Sequence, residues 1–162
     1  MQLAEEYTMR ELPTLQANGV RLQLLGDRER LPTSLLGTLE KAAIQTKKNS
    51  RLILNLALNY GGRAEIVDAM KAIIMDQQQG KLDISYIDET TFSHYLYLPD
   101  IPDVDLIVRT GGEWRLSNFL LWRAANAVFW SMPVFWPDFR KEHLQEAIGI
   151  YTKQIRGGND NA

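Results

Sequence analysis

A chain of 162 residues with 45% hydrophobic and 23% charged side chains has the make-up of an ordinary globular domain with a core of its own. Its formal net charge of -2 gives no bulk attraction to nucleic acid or an anionic membrane, so any phosphate binding must come from a local cluster of arginines and backbone N–H groups. With no cysteine there is no disulfide, thiolate metal site or cysteine nucleophile, which is compatible with the cytoplasm.

The first residues, MQLAEEYTMRELP, are charged and lack the apolar centre of a signal peptide. Residues 3–18 read as a helix that Pro13 should kink or restart, and Asn18-Gly19 is a stop signal. Val20 to Leu25 then reads as a strand closed by Gly26-Asp27, and Pro32 opens a helix with Leu35, Leu36, Leu39, Ala42 and Ala43 on one stripe. Residues 52–58, LILNLAL, form the apolar run expected of a parallel strand buried on both faces. After Gly61-Gly62 a helix follows with Ile66, Val67, Met70, Ile73 and Ile74 in register, ended by Gly80, and a short helix is expected near 88–95.

Asp105 to Arg109 reads as a short strand leading into the loop Thr110 to Arg115. Ser117 is placed to cap a helix running to about Trp130, Pro133 to Trp136 reads as a last strand, and Asp138 is placed to cap a final helix. That helix should turn Leu144, Ala147, Ile148, Tyr151 and Ile155 inward. The expected organisation is one domain over residues 1–156, with 157–162 a disordered tail. No apolar run approaches the ~20 residues a membrane-spanning helix needs. Alternating strands and helices predict an α/β fold with a mainly parallel sheet covered by helices on both faces. Ligands bind such sheets at the carboxyl ends of the strands, where both Gly-Gly turns fall.

The strongest site candidate is the segment from Arg109 to Asn118. Arg109 ends a strand, Gly111 and Gly112 allow a tight turn and close approach to an anion, and Arg115 follows. Ser117 at a helix start would add a hydroxyl and N–H groups, completing a diphosphate cradle. The plainer alternative is a glycine turn with two solvated or salt-bridged arginines. A second turn, Asn59-Tyr60-Gly61-Gly62-Arg63, repeats the logic with one cation, and a tight turn stabilised by Asn59 and buttressed by Arg63 accounts for it. His94 and His143 have no partner at metal-ligand spacing and read as surface or capping residues. Core packing accounts for most of Trp114, Trp122, Phe129, Trp130, Phe135 and Trp136, and an aromatic surface leaves room for peripheral membrane contact.

These strings resemble a known family. RTGGEWRLSNFLLW (109–122) is similar to the RTGGExRxSNFLLWQ signature of cis-prenyltransferases of the undecaprenyl diphosphate synthase type. LNYGGRAEIVDA (58–69), FWPDF (135–139) and VRLQLLGDRERLP (20–32) resemble further blocks, so the likeness spans nearly the whole chain. The resemblance implies condensation of isopentenyl diphosphate with an allylic prenyl diphosphate to extend a cis-polyprenyl chain, with Mg²⁺ assisting departure of the allylic diphosphate. It implies isopentenyl-diphosphate ligands at Arg109, Arg115 and Ser117, with Gly111, Gly112, Glu113, Leu116 and Asn118 shaping the loop. It also implies a homodimer or pairing with a full-length homologue.

The chain departs from the family pattern in three places. No Asp-Gly-Asn-Gly-Arg block, the family's allylic-diphosphate and Mg²⁺ loop, occurs among the 162 residues, and neither does the strand that leads into it or the family's later Ser-x-Glu-Asn-Trp-type block. A fragment of a longer enzyme or a shortened, non-catalytic partner of a complete one is therefore expected, with apolar surface exposed. Asn126-Ala127-Val128 stands where the family has Tyr-x-Glu with a metal-associated Glu, so Val128 cannot ligate a cation. Trp114 stands where some members place a metal-associated His, and Arg123 replaces a Gln, so no metal ligand is assigned in this chain.

Overall fold

The computed structural model of the chain describes residues 2–158 and divides into two compact units, Met1–Pro99 and Asp100–Ala162. The first unit runs α1 (Gln2–Ala17), β1 (Val20–Leu25), α2 (Thr33–Thr46), β2 (Leu52–Ala57), α3 (Gly62–Gln78), a 3₁₀ turn (Ile84–Tyr86) and α4 (Glu89–Ser93). The second runs β3 (Leu106–Thr110), β4 (Val128–Met132), a 3₁₀ turn (Trp136–Asp138) and α5 (Lys141–Gly158). Each unit holds one two-stranded parallel sheet, with Val20 opposite Leu52 in one and Leu106 opposite Val128 in the other. The α/β class and parallel pairing are as expected. The sheet is in two parts among the described residues.

The first core forms because β1 and α2 each present apolar residues at their own period. Leu22 and Leu24 alternate along β1, and Leu35, Leu39 and Ala42 follow the helical repeat. They meet as two small clusters, Leu12–Leu22–Ala42 and Leu24–Leu35–Leu39, with Leu56 of β2 packed against both. Burying each leucine contributes roughly 1.5–3 kcal/mol. The outer edge of β1 is closed by side chains from the end of α2 and the turn after it. Thr46, fully buried, accepts the Leu22 N–H at 3.0 Å and donates to Ala42 O at 2.9 Å, while Asn49 Nδ2 donates to Val20 O at 2.8 Å. Thr46→Val keeps the shape and strands a buried N–H, which costs about 1–3 kcal/mol. Urea unfolding is the check, and a loss below about 0.5 kcal/mol contradicts this account of the edge.

Several expected features differ. α1 runs through Pro13 to Ala17 as one helix, although proline has no N–H to give to the helical ladder. β2 is not buried on both faces: Leu52, Ile53 and Leu54 are exposed. α3 turns Gly62, Glu65, Ala69 and Ile73 inward and leaves Val67, Met70 and Ile74 exposed. In α5 only Ala147 of the expected inward set is fully buried, with Leu144, Ile148 and Ile155 exposed. The last strand lies at 128–132, ahead of the expected 133–136, and Asp138 sits in a 3₁₀ turn. At the start of α5 the His143 Nδ1 instead accepts the Arg140 N–H at 2.9 Å, a capping role. α5 extends to Gly158, taking in the first residues expected of the tail, and 159–162 lie outside the described residues. No described helix is long and apolar enough to cross a membrane.

Candidate functional site

β3 delivers Arg109 to the site one residue before its end, opposite Ser131 of β4. The chain then turns at Gly111 (φ +88°) and Gly112 (φ +74°), a left-handed pair that side chains with a Cβ rarely adopt. Their N–H groups donate to Val134 O at 2.9 Å and Met132 O at 2.8 Å, tying the loop to the end of β4 and the segment just after it. Ser131 Oγ donates to Glu113 O at 2.9 Å, fixing the loop's next residue.

From this anchored loop the side chains converge. Arg109 donates from Nη1 to Ser117 Oγ at 3.1 Å and from Nη2 to Glu113 Oε2. Arg115 donates from Nη2 to the other carboxylate oxygen, Oε1, at 2.5 Å. Both guanidiniums and the Ser117 hydroxyl therefore meet within one loop, with one carboxylate between them. The Arg109 side chain is 27% exposed and Arg115 65%, so the first is held in a drier setting and the second reaches into solvent.

The helix expected to begin at Ser117 is absent. Ser117, Asn118 and Leu120 have φ of +50°, +66° and +47°, and residues 117–126 form successive turns. Left-handed residues cannot start a right-handed helix, so no helix-end N–H groups face this cluster. The cluster consists of side chains alone. Leu116 lines a small apolar pocket with Trp114 and Phe129, and Trp114 packs on Phe129 with ring centroids 5.8 Å apart. Trp114, Phe135 and Trp136 are exposed, contrary to the core role expected of most aromatics here, and Trp136 stacks on Phe139.

The second turn lies in the first unit. Asn59 (φ +49°) donates from Nδ2 to Asp27 O at 3.1 Å, the tight-turn role expected of it. Arg63, in the first turn of α3, lines a cleft of about 880 Å³ together with Arg30, Lys71, Asp27, Glu29 and Asp68. Three acidic and three basic side chains line it, so its lining carries no net formal charge.

Beside it lies a buried network that no sequence pattern marked. Glu65, 1% exposed, accepts from the Tyr60 hydroxyl and from the Tyr97 N–H at 3.1 Å. The Tyr97 hydroxyl donates to Asp68. Desolvation, with Asp68 as acceptor, pushes the Tyr97 phenol above its usual range, and the same bond together with Lys71 holds Asp68 below the usual carboxylate range. A glutamate in the first turn of a helix reads as solvated, and its burial here goes with two tyrosine partners, Tyr60 in the turn just before the helix and Tyr97 from far along the chain.

The cluster around Arg109 does not fit a divalent cation. The Glu113 carboxylate is taken by two arginines, Val128 opens β4 without an oxygen donor, and Trp114 is committed to Phe129. Among the described residues no group of three His, Cys, Asp or Glu could hold a metal ion.

Residues 1–158 match the family described as "Putative undecaprenyl diphosphate synthase". The chain is similar to an isoprenyl transferase of Heliobacterium mobile, 49% identical over 154 residues, covering 95% of this chain and 59% of that protein. An isoprenyl transferase of Bacillus anthracis is 45% identical over 156 residues, covering 96% and 60%. The chain thus spans about three fifths of the length of these relatives. Among solved structures, the fold resembles lavandulyl diphosphate synthase from Lavandula x intermedia in complex with dimethylallyl diphosphate, with a TM-score of 0.89 and 32% identity, covering 93% of this chain and 66% of that one. A probable undecaprenyl diphosphate synthase from Campylobacter jejuni gives a TM-score of 0.80 at 32% identity, covering 93% and 68%.

Proposed function

The chain belongs to the cis-prenyltransferase family, described as putative undecaprenyl diphosphate synthase, and on that premise we propose that its Arg109–Ser117 loop holds the diphosphate of isopentenyl diphosphate for cis-polyprenyl chain extension. The observation that carries this reading is the convergence of Arg109 and Arg115 on one carboxylate, with the Ser117 hydroxyl hydrogen-bonded to the other nitrogen of the Arg109 fork. Two guanidinium forks suit a multiply charged phosphate group better than any neutral ligand. Their contribution to the reaction is positional: a diphosphate fixed at the end of β3 aims the attached alkene at an allylic partner, and orientation of this kind lowers the barrier for joining two substrates. No step is assigned to Mg²⁺, because the residues at this loop do not fit it.

The chain by itself, containing no Asp-Gly-Asn-Gly-Arg block, is expected to bind isopentenyl diphosphate and to give little or no turnover. Calorimetric titration with isopentenyl diphosphate, beside a steady-state assay with labelled isopentenyl diphosphate and farnesyl diphosphate, tests both halves. Absence of measurable binding removes the assignment, and robust elongation contradicts the second half.

A second reading is that of a non-catalytic subunit paired with a full-length homologue. It is favoured by the exposed apolar residues Leu52, Ile53 and Leu54 on β2 and Val67, Met70 and Ile74 on α3. Copurification with a complete homologue, with activity only in the mixture, supports it. A monodisperse monomer that ignores the homologue argues against it.

A further inference from the structure

The carboxylate of Glu113 stands where the oxygens of a ligand would stand. One of its oxygens faces Nη2 of Arg109 and the other faces Nη2 of Arg115 at 2.5 Å. A single carboxylate bridging two guanidiniums reproduces the oxygen-pair contact that a diphosphate would make. Building on the reading of this loop as a diphosphate site, we infer that Glu113 is an internal occupant of that site, which an incoming diphosphate must displace and which thereby sets how tightly the site binds.

The local structure suits such an exchange. The backbone of Glu113 is anchored, since its carbonyl accepts the Ser131 hydroxyl at 2.9 Å. Its side chain is 43% exposed, so the carboxylate can swing into water and recover its hydration without moving the loop. With Glu113 in place, both arginines are already turned toward one point, and rotamer entropy that a ligand would otherwise have to remove is already lost. Against that stands the electrostatic term. The resident charge neutralises part of the attraction and repels any anion that enters beside it. A diphosphate carries more charge than one carboxylate and displaces it, whereas a singly charged anion gains little by the exchange.

The two effects of Glu113 oppose each other, and affinity reads which one prevails. Inorganic pyrophosphate is titrated calorimetrically into the wild-type chain, Glu113→Gln and Glu113→Ala at fixed ionic strength, with a thermal melt of each. Both variants are expected to bind pyrophosphate on the order of tenfold more tightly, the size set by releasing two partly exposed ion pairs. A residue that only supports the loop would give no gain in affinity when removed. Equal or weaker binding by the folded variants overturns the inference, while binding by the wild type leaves the site reading intact. If none of the three chains binds pyrophosphate, the site reading fails and the inference with it. Should one variant unfold, the other decides.

Discussion

Arg109→Ala is expected to weaken binding of isopentenyl diphosphate by about 30- to 150-fold, the equivalent of roughly 2–3 kcal/mol. Arg109 is fixed by the sheet: it lies opposite Ser131 in the β3–β4 register and its side chain is 27% exposed. A charge held in that setting is less screened than one at the surface, so its bonds to an oxyanion fall at the upper end for charged hydrogen bonds. Arg109→Lys should recover only part of the loss, because a single ammonium cannot reach Ser117 and the ligand with two separate nitrogens as the guanidinium does. Arg115, 65% exposed on the loop, is screened by solvent, and Arg115→Ala should cost about tenfold or less. Calorimetric titration of the three variants, each with a melting curve to exclude unfolding, gives the ranking. An Arg109→Ala affinity within threefold of the wild type, or a larger loss at Arg115 than at Arg109, is incompatible with this assignment.

The parts of this molecule legible in its sequence are those fixed by short-range periodicity. β1 and α2 fall where alternation and the helical repeat put them, because their apolar residues pack on one another within the same unit. The two arginines, Glu113 and Ser117 also come together as one loop, since the glycine pair allows a tight left-handed turn that its N–H bonds to Met132 and Val134 hold in place. The segment after that loop was not legible. SNFLLWRAANAV carries apolar residues at spacings a helix would accept, and only the left-handed backbone at Ser117, Asn118 and Leu120 separates successive turns from a helix. The expected helix also ran over the residues that form β4. On α3 and α5 the repeat identifies side chains that favour burial, yet Val67, Met70, Leu144 and Ile148 are exposed. Periodicity states which face is apolar and carries no information about what covers it. Glu65 is the converse case, a charged residue whose burial is created by Tyr60 and Tyr97.

Gly26→Ala is expected to destabilise the first unit by about 3–5 kcal/mol, combining backbone strain with a steric clash. Gly26 follows β1 at φ +123°, a conformation side chains with a Cβ rarely adopt. A Cβ placed there would lie 2.3 Å from Leu58 O and 3.1 Å from Tyr60 Cβ. The carbonyl cannot yield by itself. Leu58 donates its N–H to Leu25 O at 3.0 Å, and Asn59 Nδ2 donates to Asp27 O at 3.1 Å, so both sides of the contact are stitched together. Relief therefore requires the carboxyl ends of β1 and β2 to part, which loosens the turn that carries Asn59 and Arg63. Gly37 supplies the control. It lies inside α2, and a methyl group added there would meet nothing within 4 Å, so Gly37→Ala should stabilise by about 0.5–1 kcal/mol through helix propensity alone. Urea unfolding of the two variants beside the wild type should give changes of opposite sign. A loss under about 1 kcal/mol at Gly26 means that the β1–β2 junction relaxes freely and does not hold the second turn in place.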